Sequence, residues 1–141
     1  MKSLGSATST RGVTRTHRDL VAWKESMRLL AATYRLAAQL PSVERYGLAS
    51  QLRRAAVSIP ANIAEGFGRR GTGEMRHFLS IAEGSLRELQ TLLDAIVVLE
   101  YMPPEAVQPA SDASNRVGYL VHRFRQSLTR NAGQPRQRGP P

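Results

Sequence analysis

The sequence places a proline in the middle of a segment whose apolar residues recur at helical spacing. Pro60 stands at its centre, and the apolar positions of the segment are Leu48, Leu52, Ala55, Ala56, Ile59 and Ile63. A proline inside a helix removes one backbone hydrogen bond and crowds the carbonyl four residues back, here that of Ala56, at a cost of about 3 kcal/mol. Because packing against neighbouring helices has to offset that cost, the chain is predicted to form a helical bundle.

Four amphipathic segments are predicted to be helices, and no strand pattern competes with them. Their expected ranges are 19–40, about 44–67, about 73–101 and about 104–130. In the first helix the apolar residues are spaced three and four apart, which is typical of a buried helical stripe. Since the connections are short, the sequence predicts an all-α fold, an antiparallel up-and-down four-helix bundle.

Local signals set the expected ends of these helices. Asp19 and Thr72 are predicted to cap the first and third helices, because their side chains can accept hydrogen bonds from the first backbone amides. A glycine-rich run around Arg69 and Arg70 is interpreted as a flexible connector, since it lacks the strand and the lysine of a phosphate-binding loop. Pro109 lies inside the fourth segment, so its first turns are expected to be kinked or separate.

The charge is concentrated outside the predicted bundle domain, which spans residues 18–130. The chain carries +9 overall, of which +4 lies in residues 1–18 and +2 in residues 131–141. The expected tails, 1–17 and 131–141, are rich in polar, glycine, proline and arginine residues and are predicted to be disordered. Residues 19–130 hold 14 basic and 11 acidic residues, so the body is only mildly basic.

Several classes of protein are disfavoured by what the sequence lacks. It has no cysteine, no apolar run of the roughly 20 residues that span a bilayer, and no signal-peptide pattern at its start, so a cytoplasmic location is expected. Glu74 and His77 form one Glu-x-x-His pair, but a di-iron bundle needs two. Ser58 has no histidine within two helical turns to activate it. We therefore expect no enzymatic activity, no metal, no cofactor, no small-molecule substrate and no membrane association.

The second helix carries a polar face beside its apolar stripe. The face consists of Gln51, Arg54, Ser58, Asn62, Glu65 and Arg69. It is either a solvated surface or a polar network buried at a subunit contact. Small residues nearby would allow the backbone of another subunit to approach this face closely. Such a network is favourable only when every member has a partner. The candidate interface or structural motif comprises Arg54, Ser58, Pro60, Asn62, Glu65 and Gly66.

The fourth helix supplies the candidate nucleic-acid contacts. Arg116, Arg123 and Arg130 repeat every seven residues and so line one edge of the helix, Arg125 lies apart from them, and Tyr119 adds an aromatic ring. Arginine binds phosphate through two parallel hydrogen bonds, which favours salt-dependent nucleic-acid binding. The alternative is that these arginines only complement the negative end of the helix dipole.

The run Ser58-Ile59-Pro60-Ala61-Asn62-Ile63-Ala64-Glu65-Gly66 resembles a motif of the bacterial four-helix bundle protein family, also called the large-subunit ribosomal RNA intervening-sequence protein family. Residues 19–23 and 45–48 are similar to that family as well, as are residues 78–82, 84–85 and 88–89 of the third helix, and the resemblance covers about residues 18–130. It implies a helical bundle with no assigned catalytic residues, relatives that assemble as five-fold rings, and a related group, the accessory variability determinants, that binds a reverse transcriptase and nucleic acid.

Together these observations predict a non-enzymatic, homo-oligomeric bundle, a pentamer by resemblance, that binds RNA or a nucleoprotein partner through arginine-rich surfaces. The alternative is a protein–protein adaptor with no nucleic-acid role, in which the positive charge serves solubility only.

Overall fold

The computed structural model describes residues 16–132 of the 141-residue chain, with side chains as far as Thr129. Four helices follow one another in that range: α1 Val21–Ala37, α2 Leu48–Phe67, α3 Thr72–Val98 and α4 Pro104–Ala132. Two 3-10 turns, His17–Asp19 and Ser42–Glu44, precede α1 and α2. No described residue lies in a strand, so the all-α prediction is confirmed.

The four helices form a closed bundle in which each packs on two neighbours. The backbones of α1 and α2, α2 and α3, α3 and α4, and α4 and α1 lie side by side, whereas within the described range no Cα atoms of the diagonal pairs come within 8 Å of each other. Side-chain contacts show the antiparallel order: Ser58 of α2 meets Ser85 of α3, while Glu83 and Gln90 of α3 meet α4 at Arg125 and Ser114 respectively. The predicted up-and-down arrangement is therefore confirmed.

The core runs along the bundle axis and draws on all four helices. Its largest fully buried apolar side chains are Leu29, Leu52, Ile59, Ile63, Leu79, Leu89, Leu93, Ile96, Val117 and Val121. Three of the four buried hydroxyls are satisfied locally, since Ser26, Thr33 and Ser114 each donate to a backbone carbonyl of their own helix, and the fourth, that of Ser85, bonds to α2. Among the described residues no buried side-chain nitrogen or oxygen lacks a partner.

Pro60 lies within an unbroken α2, as the sequence predicts. It is buried among the core residues of that helix, next to Ile59 and three residues before Ile63. Burial of these side chains supplies the packing that offsets the hydrogen bond lost at the proline.

The helices differ from the predictions in several places, among them α1, which spans 21–37 rather than 19–40, and α3, which ends at Val98 rather than near residue 101. Asp19 does not cap α1; its carboxylate instead accepts from the backbone N–H of Thr16 in a capping box of the preceding turn. Thr72 is the first residue of α3 rather than its cap, because Gly71 takes that position with a φ of 101°. α2 begins at Leu48, four residues later than predicted, and α4 runs as one helix through Pro109.

The predicted tails fall almost entirely outside the described residues. Where the predicted tails overlap the described residues, the backbone is helical. His17 is the first residue of a 3-10 turn, and α4 continues two residues past Arg130. The side chain of Arg130 is itself outside the described part of the chain.

Candidate functional site

The centre of the α2 motif is a hydrogen-bonded cluster between α2 and α3. The hydroxyl oxygens of Ser58 and Ser85 lie 2.7 Å apart, so one donates to the other. Asn62 donates through Nδ2 to the Ser58 hydroxyl at 3.0 Å and to the Ser58 carbonyl at 2.7 Å. Ser85 is buried, and Ser58 and Asn62 are half-buried. The polar face predicted from the sequence is thus partly a connection between two helices of one chain.

Gly66 belongs to the same helix contact. A Cβ atom placed on Gly66 would lie 2.8 Å from Sδ of Met75 and 2.8 Å from Cβ of Phe78, closer than side chains tolerate. The end of α2 and the beginning of α3 approach each other closely only because this position has no side chain. Pro60 and Gly66 therefore act in the packing of this chain on itself.

The remaining members of the motif face outward. Arg54 and Glu65 are exposed. Arg54 borders an open cleft of about 460 Å³ between α2 and α3, whose other lining residues include Gln51, Ser58, Ser85 and Glu88. Glu65 pairs with Arg69 one turn further along α2. These are the residues of the motif that another molecule can reach.

Arg116 and Arg123 of the arginine edge of α4 are exposed, but they have different neighbours. Arg123 donates through Nη1 to the Tyr119 hydroxyl at 2.9 Å, and its guanidinium lies 5.7 Å from the centre of that ring. The hydrogen bond to Tyr119 raises the pKa of Arg123 above its ordinary value. Arg116 lies 3.6 Å from a carboxylate oxygen of Glu25 on α1, although its side chain stays 63% exposed.

Arg125 lies between helices instead. Its Nε and Nη2 donate to the two carboxylate oxygens of Glu83 on α3, at 2.6 Å and 3.3 Å. This bidentate contact raises the pKa of Arg125. The geometry suits a residue that holds α4 against α3, since two parallel bonds fix a guanidinium firmly.

A further polar contact, absent from the sequence prediction, joins the two connections at the other end of the bundle. Glu44 accepts the backbone N–H of Leu48 at 3.0 Å and the Tyr101 hydroxyl at 2.7 Å. The Leu48 amide, and then the Tyr101 hydroxyl, lower the pKa of Glu44, and the same hydroxyl bond raises the pKa of Tyr101. The glutamate thus accepts the first backbone amide of α2, whose N-cap position is Gly47, and the signal for this contact was its place four residues before Leu48.

Neither a metal-binding cluster nor a membrane-spanning helix is found among the described residues. No three histidine, aspartate or glutamate side chains in the range 16–132 lie close enough together to hold a metal ion. The same range includes no helix that is both long and apolar enough to cross a bilayer.

Comparison with known proteins places the chain in a family. Residues 18–123 match the family model described as 23S rRNA-intervening sequence protein. The chain belongs to that family. One solved structure to which the chain is similar is that of a protein of unknown function of the S23 ribosomal protein family from Bacteroides thetaiotaomicron. It shares 20% identity and a TM-score of 0.70 over 75% of this chain and 99% of its own, which shows a common fold. Among curated proteins none matches.

Proposed function

We propose that this member of the intervening-sequence family is a non-enzymatic, cytoplasmic scaffold that forms homo-oligomers and associates with RNA or a nucleoprotein. The observation that carries the proposal is the outward-facing edge of α4, where Arg123 and Tyr119 present a guanidinium beside an aromatic ring. Arginine donors contact phosphate oxygens, and an exposed ring adds a surface on which a base can stack. The family description, which names a ribosomal RNA insertion, supports the same class of partner.

In this proposal the candidate arginines have two different roles, according to what surrounds each side chain. Arg116, Arg123 and Arg130 contribute the phosphate contacts, because their positions repeat along one edge of α4. Arg125 contributes mainly to the fold through its bond to Glu83. The assembly contact involves Arg54 and the exposed polar residues beside it on α2, and we infer a ring, of five copies by analogy with relatives.

The test is RNA binding by the purified protein across a salt series. Replacing Arg116, Arg123 and Arg130 together by glutamine should weaken binding and reduce the slope of log affinity against log salt by about 2–3, since each lost phosphate contact removes roughly 0.7–0.9. A matched control replaces three arginines away from this edge, Arg35, Arg45 and Arg87. Equal losses in the two triple variants would reject the arginine edge, and no binding by the wild type would reject the function.

A second function, a protein–protein adaptor, is favoured by one apolar surface. Tyr34 on α1 and Val57 on α2 are 41% and 42% exposed, and they line a shallow groove with Ser50 and Arg53 between the two helices. Exposed apolar residues that gather in one groove are typical of a protein contact. If the protein is an adaptor, it should not retain RNA at moderate salt. Tyr34→Ser should then lose binding of the protein partner.

A further inference from the structure

The charge of the described residues is distributed unevenly along the bundle. Cutting each helix at its midpoint separates a half around the α2–α3 turn from a half around the other two connections. The half around the other connections contains six basic and six acidic residues, whereas the half around the α2–α3 turn contains nine basic and five acidic ones. The entire excess of positive charge in the range 16–132 therefore lies in the half around the α2–α3 turn, which we call the basic half. The half around the other two connections has no net charge, and we call it the neutral half.

Ion pairing increases this asymmetry. Glu25 and Glu83, two of the five acids in the basic half, each lie near two arginines, and in each case one of the two comes from the neutral half: Arg116 approaches Glu25 and Arg87 approaches Glu83. Cations from the neutral half thus offset acids of the basic half.

The basic end itself is built around a short turn. Arg69 and Arg70 lie in the turn between α2 and α3, Arg76 follows in the first turns of α3, and Arg18 lies in the 3-10 turn that contacts α1 and α2. Arg18 and Arg70 are exposed and make no ion pair within the described part of the chain. We refer to Arg18, Arg69, Arg70 and Arg76 as the basic end.

One of these guanidinium groups is held in place at the surface. Arg69 donates to Glu65 and lies 5.3 Å from the centre of the Phe78 ring. A guanidinium carries five N–H donors, so this arrangement fixes its position and leaves donors for another acceptor. A positioned cation loses less conformational freedom when it binds an anion.

We propose that the basic end docks on the phosphate backbone of RNA beside the α4 edge, whose Arg123 and Arg130 belong to the same half of the bundle; this inference rests on the proposed function. Phosphate contact is favoured over base stacking because residues 68–74, which form the tip, include no aromatic side chain. A lipid surface is disfavoured by the same residues, because interfacial binding needs an apolar face to insert and the tip has none. The sequence beyond Thr16 and Ala132 adds five basic residues and no acidic one to segments that join the bundle at this end.

The experiment compares two matched double variants of the full chain. Arg18→Gln with Arg70→Gln neutralises two exposed arginines of the basic end, and Arg35→Gln with Arg45→Gln neutralises two exposed arginines of the neutral half. All four side chains lack ion pairs among the described residues, so both variants should fold, which circular dichroism and light scattering verify. The probe is a labelled RNA duplex of random sequence, titrated across a salt series.

The basic-end variant should lose roughly tenfold in affinity and about 1.8 in the salt slope, whereas the control should lose much less. Equal effects in the two variants would overturn the basic end while leaving RNA binding, and so the proposed function, intact. Wild-type protein that binds no RNA would instead refute the proposed function and this inference together. Tighter binding to vesicles of phosphatidylcholine and phosphatidylserine than to RNA would also overturn it and identify a membrane surface as the partner.

Discussion

Ser58 and Ser85 face each other across the α2–α3 interface with 2.7 Å between their hydroxyl oxygens. Because Asn62 donates to the same Ser58 hydroxyl, the bond is part of a small network rather than an isolated contact. Networks of this kind fix the register between two helices, since a shift by one turn would leave the buried Ser85 hydroxyl without a partner.

The first prediction concerns the strength of this contact. Ser58→Ala and Ser85→Ala should each destabilise the fold by about 1 kcal/mol, and the double variant should cost less than their sum, because the second change removes a group already left unpaired. Urea denaturation of the four proteins in the cycle measures the coupling. Ser80→Ala, at an exposed position of α3, is the control and should change little. Strict additivity would contradict a direct bond.

The second prediction uses two glycines in helices with opposite surroundings. Gly66→Ala should destabilise the protein by about 1–3 kcal/mol, because its Cβ would meet Met75 and Phe78 at 2.8 Å and separate α2 from α3. Gly84→Ala should instead stabilise it by about 0.5–1 kcal/mol, since nothing lies within 4 Å of a Cβ there and alanine favours the helix. Thermal denaturation of both variants measures these changes in stability. A Gly66→Ala variant that is more stable than wild type would show that α2 and α3 do not approach each other closely at this position.

Apolar spacing was enough to predict four helices and their order, because that pattern is local to each segment. The contacts that set the register were beyond prediction, since they join residues far apart in the chain: 27 positions for Ser58 and Ser85, 42 for Glu83 and Arg125, and 57 for Glu44 and Tyr101. The cap predictions at Asp19 and Thr72 were wrong because neighbouring residues compete for the same position. A glycine with positive φ displaced Thr72, and a capping box with Thr16 engaged Asp19.

The third prediction is a pH dependence at Glu44. Its pKa is lowered in the folded protein, chiefly by the Leu48 amide, so its contribution to stability is present above the unfolded pKa of about 4.3 and is lost as pH falls through the folded value. Glu44→Gln should therefore lower the melting temperature at pH 7, and the difference from wild type should shrink below about pH 4.3.

Tyr101→Phe separates the two partners of that carboxylate. It removes the bond to Glu44 and keeps the ring, so it should reproduce part of the loss at neutral pH. The pKa of Tyr101 is raised, so the stability due to its hydroxyl is present below about pH 10 and is lost as pH rises through the folded value. A difference between wild type and Glu44→Gln that stays constant from pH 7 to pH 3 would contradict the role of the charged form.

The fourth prediction tests Arg125 as a residue of the fold. Arg125→Gln should destabilise the protein by about 1 kcal/mol, because it breaks a bidentate bond between α3 and α4 that solvent partly screens. The control is Arg87→Gln, which removes a weaker contact to the same Glu83 at 3.9 Å and should cost little. Glu83→Gln should match Arg125→Gln in denaturation experiments. RNA affinity that falls much more than stability in Arg125→Gln would instead assign this arginine to nucleic-acid binding.

The last prediction separates assembly from RNA binding on α2. Arg54→Ala removes an exposed cation that no described residue pairs with, and Asn62→Ala removes the donor that orients Ser58 beside the same cleft. Both should reduce the mass measured by light scattering more than they reduce RNA affinity, because the basic end and the α4 edge remain intact. Arg35→Ala, an exposed arginine of α1, should leave the mass unchanged. Variants that kept the wild-type mass but lost RNA binding would place the nucleic-acid contact on α2 and remove this helix from the assembly interface.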